Sequence, residues 1–93
     1  MSSKIESPAS NQKMSVLDGV SFFCKSKLVH IKEFTGDVIG NNLEATLTDS
    51  GRVRFVSAGH NVLAVSMISN FVSQRFLLKF NENKWVIESE EAA

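Results

Sequence analysis

The chain has 93 residues, ten of them Lys or Arg and ten Asp or Glu, for a formal net charge of zero. That length makes a single domain, and a hydrophobic content of 43% belongs to a chain that folds. The neutral total disfavours a strongly basic nucleic-acid domain and a polybasic membrane anchor, both of which need a surplus of cations.

Residues 1–13 hold the only proline and, beyond Met1, a single large apolar residue, Ile5. They read as a flexible polar tail, which leaves 14–93 as one small domain. The tail lacks the apolar core of a signal peptide. The densest apolar run, Val62 to Ile68, is seven residues long, well short of the roughly 18 that span a bilayer, so no membrane partner is expected. Cys24 is the single cysteine, which excludes an intrachain disulfide and points to a cytoplasmic or otherwise intracellular setting.

A helix is predicted from Ser15 to Lys27. Ser15 and Asp18 form an S-x-x-D start signal. Met14, Leu17, Val20 and Cys24 recur at helical spacing, with Val16 and Phe23 flanking the same face. Lys25 and Lys27 suit the negative end of the helix dipole. Gly19 weakens the helix by about 1 kcal/mol relative to Ala, and an early strand over Val20–Cys24 is the alternative.

From Leu28 the period becomes two. Val29 and Ile31 alternate with His30 and Lys32, the pattern of a half-buried strand. Gly36, Asp37, Gly40, Asn41 and Asn42 break the chain. Leu43, Ala45 and Leu47 then alternate with Glu44, Thr46 and Thr48. After Asp49-Ser50-Gly51, where Gly is placed for a left-handed residue, Val53 and Phe55 alternate with Arg52 and Arg54. This is a hairpin. Ala58-Gly59-His60-Asn61 is a further break. Val62 to Ile68 is apolar on both phases, which predicts a strand covered on both sides, with a helix capped by Asn61 as the alternative. Phe76, Leu78 and Phe80 alternate with Arg75, Leu77 and Lys79. Asn81-Glu82-Asn83 turns the chain, Trp85 and Ile87 pair back, and the end is acidic at Glu88, Glu90 and Glu91. The fold class is therefore α+β: one N-terminal helix followed by a five- to six-stranded antiparallel meander, as a curved sheet or a small barrel.

The segment Gln74-Arg75-Phe76-Leu77-Leu78, followed by Trp85-Val86-Ile87, resembles the terminal hairpin of nuclear-transport-factor-2-like domains. In those domains a Q-x-F-x-L strand is followed, after a turn, by a W-x-I strand. The resemblance covers 14 of 93 residues. It departs from the family pattern in its single readable helix and in Glu88-Ser89, which stands where the family has N-D. It implies a cone-shaped, pocketed, often dimeric and usually non-catalytic domain as an alternative fold.

The chain offers little to catalysis. His30 and His60 are its only near-neutral bases. A Cys24–His dyad can be written, but Cys24 lies on the apolar face of its helix, where cysteine is a packing residue. His30 on a polar strand phase and His60 in a turn read as solvated. No nucleophile elbow, P-loop or dinucleotide fingerprint is present, and two isolated His with one Cys lack zinc spacing. Glu33 and Asp37 can be written as a carboxylate pair, but a charged loop is the commoner reason for such neighbours. No catalytic residue, metal or cofactor is assigned.

Charge is more informative. Residues 52–84 carry five cations, Arg52, Arg54, Arg75, Lys79 and Lys84, against Glu82, a local balance of +4. Residues 28–51 carry Lys32 against Glu33, Asp37, Glu44 and Asp49, a balance of −3. Arg52, Arg54, Arg75 and Lys79 are the candidate basic binding face. They read either as a solvated strand face guarded by charge or as a phosphate or acidic-protein contact. Phe55, Phe76 and Phe80 fall on the opposite, core-facing phase, so no exposed aromatic pair interleaves with these cations for base stacking. Phe22 and Leu77 are candidate apolar contacts, since Phe22 and Phe23 cannot share one narrow stripe and Leu77 lies on the Arg75/Lys79 phase. The expected function is a non-catalytic protein-binding or self-assembling module, homodimeric, that uses its sheet face or an edge strand. Nucleic-acid binding through the basic face is the first alternative, and small-ligand binding in a barrel or cone interior is the second.

Overall fold

The computed structural model describes residues 14–35 and 42–92. The expected tail over 1–13 and most of the break before Asn42 lie outside that range. The helix, α1, runs Val16–Lys27, and Ser15 caps it, its Oγ accepting from the Asp18 N–H at 3.4 Å. At the other end Leu28 adopts the left-handed conformation (φ 56°), and the chain turns back through the Val29 N–H, which donates to the Cys24 carbonyl at 3.0 Å. The strands are β1 (Ile31–Phe34), β2 (Asn42–Leu47), β3 (Arg52–Ser57), β4 (Val62–Ser69), β5 (Val72–Asn81) and β6 (Lys84–Ala92). They form one six-stranded antiparallel sheet in sequence order, β1 to β6. The two ends do not meet, so the fold is the open meander and not the barrel.

Alternation decides which face the helix covers. Leu43, Ala45 and Leu47 of β2, Val53 and Phe55 of β3, Leu63, Val65 and Met67 of β4, and Phe76 and Leu78 of β5 are all buried. Val20 and Phe23 of α1 complete this core. The Phe23 ring stands edge-on to Phe55 at 5.7 Å and to Phe76 at 4.9 Å between centroids. Burying side chains of this size is worth about 1.5–3 kcal/mol each, so this three-ring contact fixes where the helix crosses the sheet.

The helix face differs from the expected one. Leu17, placed on the apolar stripe by its spacing, is 54% exposed. Gly19 is buried in its stead. A Cβ there would lie 2.7 Å from Leu63 Cδ2 and 2.8 Å from Trp85 Cη2, so the missing side chain lets the helix approach the sheet.

The turns also correct the expectation. In the β2–β3 turn the left-handed residue is Ser50 (φ 72°), not Gly51. Gly51 is required for space, because a Cβ would collide with the Ile68 carbonyl. Asp49 closes this turn, accepting from the Gly51 N–H at 2.9 Å and from the Ser69 hydroxyl. The run from Val62 is a strand and not a helix. It is covered on one side only, with Ser66 and Ile68 exposed on the other.

Candidate binding face

One face of the sheet carries α1 and the other is open. Because paired residues share a face, the register maps the open one. Glu44 lies opposite Arg54, Arg54 opposite Ser66, Ser66 opposite Arg75, and Arg75 opposite Glu91. This row of five strands reads acid, base, hydroxyl, base, acid. One row toward the β2–β3 turn come Thr46, Arg52, Ile68 and Ser73. On the other side come Val56, Ala64, Leu77 and Ser89, then Val62, Lys79 and Val86.

The sequence-predicted cations therefore share one face, though not on neighbouring strands: β4 separates β3 from β5. With strands about 4.8 Å apart, Arg54 and Arg75 stand about 10 Å apart across Ser66, and Arg52 stands about 7 Å along the strand from Arg54. Arg52, Arg54 and Arg75 line one depression of about 350 Å³, together with Glu44, Ser66 and Ile68. Lys79 lies on the same face beyond Leu77, outside the depression.

The three guanidinium groups are not equivalent. Arg54 is held by Glu44, its Nε donating to Oε2 at 2.7 Å in an exposed ion pair. Arg52 and Arg75 make no ion pair among the described residues. Arg75 faces Glu91 by register, without forming a pair with it. The open face thus presents two uncommitted planar forks, suited to carboxylate or phosphate oxygens, beside exposed Leu77, Val86 and Ile68.

The other candidates sort out differently. Leu77 is 38% exposed and sits on this face. Phe22 does not reach it: half-buried on the helix side, it stacks on Trp85 at 6.3 Å between centroids. Trp85 in turn meets Phe80 at 5.1 Å. Cys24 is half-buried and packs against the core, and burial pushes its thiol pKa up, away from the thiolate that nucleophilic chemistry needs. His30 and His60 are both exposed. Among the described residues no three His, Cys, Asp or Glu side chains converge as a metal site requires. No helix is long and apolar enough to cross a membrane among those residues.

The sheet edges carry features that spacing did not reveal. Opposite β2, β1 holds an extra residue at Lys32, and opposite β5, β6 holds an extra residue at Glu88. A bulge carrying a charge twists an edge away from further pairing. Both edge strands of this sheet carry such a bulge. Compared with protein-family models, curated proteins and solved structures, the chain shows no match.

Proposed function

We propose that the chain is a non-catalytic protein-binding module whose open sheet face receives an acidic segment of a partner protein. One observation carries this reading: Arg52, Arg54 and Arg75, from two strands that are not neighbours, line a single depression on the uncovered face. A carboxylate entering it meets two forks free of ion pairs among the described residues, and a third tethered by Glu44. The apolar flank of Leu77, Val86 and Ile68 suits a segment that alternates acidic with apolar side chains. It suits nucleic acid less well, because the open face presents no ring for base stacking. An intracellular setting belongs to the same reading, since Cys24 leaves no intrachain disulfide.

A second copy of the chain is a poor occupant of this face. Two-fold symmetry brings a patch against itself. An aligned stacking about Ser66, with the axis along the strands, sets Arg54 over Arg75 of the other copy and Glu44 over Glu91. With the axis across the strands, Arg54 meets Arg54 and Glu44 meets Glu44. Each arrangement opposes like charges, which is unfavourable across an interface.

The test is titration of a labelled peptide alternating Glu with Leu. Binding is expected to weaken as salt rises. Arg52→Gln with Arg75→Gln should abolish it, and Glu44→Gln, which frees Arg54, should tighten it. Absence of binding at low salt, or affinity indifferent to the double substitution, refutes the proposal. A single-stranded oligonucleotide of equal charge that binds more tightly than the peptide would favour the nucleic-acid reading instead.

A further inference from the structure

A second surface lies at the opposite end of the helix side, where α1 runs out. Twelve helical residues reach about 18 Å, whereas the ten residues of β5 extend about 34 Å. The helix therefore stops short of the β4–β5 turn and leaves a hollow of about 440 Å³, with Leu47, Met67 and Val72 among its lining and Leu28 and Val29 at the helix end.

Two residues at this end contradict their own backbone. Leu28, the helix C-cap, and Phe71, in the β4–β5 turn, have φ of 56° and 65°. They are the only apolar residues with positive φ among the described residues. Left-handed helix caps and two-residue hairpin turns both favour Gly or Asn, and a bulky side chain there is an outlier. Neither side chain recovers the cost by packing: Leu28 is 79% exposed and Phe71 is fully exposed. Leu28 lines the hollow, and so do Asn70 and Val72 on either side of Phe71. Local rules broken without local compensation mark functional positions.

We infer that this end is a self-docking surface, in which Phe71 of each copy seats in the hollow of a second copy. An isologous interface needs a projection and a matching recess side by side on one surface, and the β4–β5 turn supplies both. The charge layout permits it: the hollow is lined by one cation, Lys27, and one anion, Asp49. Two such rims therefore meet without excess of either sign, unlike two open faces. This contact is independent of the arginine-lined depression, which stays accessible on the other side of the sheet.

Light scattering on the full chain, over concentrations rising to about 1 mM, tests the inference. The mass is expected to climb from monomer toward dimer. Phe71→Gly and Leu28→Gly should each hold the chain monomeric while raising the denaturant midpoint of the dilute protein, because Gly relieves the backbone at both positions. That opposite movement separates loss of contact from loss of fold. A wild-type chain that stays monomeric overturns the inference, and so does an association that survives Phe71→Gly. A monomer that instead partitions onto phosphatidylcholine vesicles through Phe71 overturns the second copy as occupant in favour of a lipid surface.

Discussion

Gly19 sets two effects of opposite sign against each other, and their difference can be measured. By helix propensity alone, Gly19→Ala stabilises α1 by about 1 kcal/mol. The packing opposes it. The added Cβ would sit 2.7 Å from Leu63 Cδ2, and 2.8 Å and 2.9 Å from Trp85 Cη2 and Cζ2. Leu63 is fully buried and has nowhere to go. Trp85 is flanked by Phe22 and Phe80, so its ring moves only by disturbing both contacts. Overpacking of this kind costs about 1–3 kcal/mol, and two confined neighbours place it in the upper half. The expected outcome is a net loss of about 1–2 kcal/mol, read as a lower urea midpoint with an unchanged slope. In a Trp85→Phe background the indole atoms nearest Gly19 are gone, and the same substitution should cost less. A double-mutant cycle returns that coupling directly. If Gly19→Ala raises the midpoint in the wild-type background, the close approach of helix and sheet is not what excludes a side chain there.

Other substitutions probe the remaining supports. Phe23→Ala removes the ring between Phe55 and Phe76 and should cost about 3–5 kcal/mol in urea unfolding. Ser15→Ala removes the long, exposed N-cap bond to Asp18 and should cost about 0.5–1 kcal/mol, at the low end for caps. Asp49 is held below its ordinary carboxylate pKa, first by the Ser69 hydroxyl and then by the Gly51 N–H. A lowered folded pKa means that its contribution is present above the unfolded value and is lost as pH falls through the folded one. Stability should therefore decline in the acid range below about pH 4, and Asp49→Asn should flatten that part of the profile in acid titrations.

The most legible parts of the fold were those where one residue decides one thing. The β2–β3 hairpin followed from strict alternation on both sides of a polar turn, and the helix start from Ser15 and Asp18. The open face was harder to see, because alternation tells that Arg54 and Arg75 point away from the core but not that β4 stands between them. The β4–β5 turn was invisible for a different reason. Its second residue is Phe71, where turn chemistry leads one to look for Gly, so no break showed between Ile68 and Gln74. The helix face was misread at Leu17 because an apolar side chain carries more weight in a periodic pattern than Gly19, whose contribution is the space it leaves. Along β6, the extra residue at Glu88 reverses the alternation that Trp85 and Ile87 begin. Glu90 then lies on the helix side, where its carboxylate accepts from Lys27 Nζ at 2.8 Å. Pattern reading extends an alternation until something stops it, and Glu88 is not a residue that signals a stop.

The strand order has a consequence for how the chain assembles. Each strand pairs only with its neighbour in sequence, so the sheet grows by short loop closures that lose little chain entropy. The helix is the exception. Its Lys27 meets Glu90, 63 residues later in the chain, and Gly19 fits against Trp85 of the final strand. As synthesis proceeds from the N-terminus, α1 emerges first and gains its full seat last. Until β6 arrives, Val20 and Phe23 dock on an incomplete platform. Variants that weaken the β5–β6 hairpin should therefore lower recovery on expression more than their equilibrium stabilities indicate, because they prolong the interval in which the helix stripe lies open to aggregation.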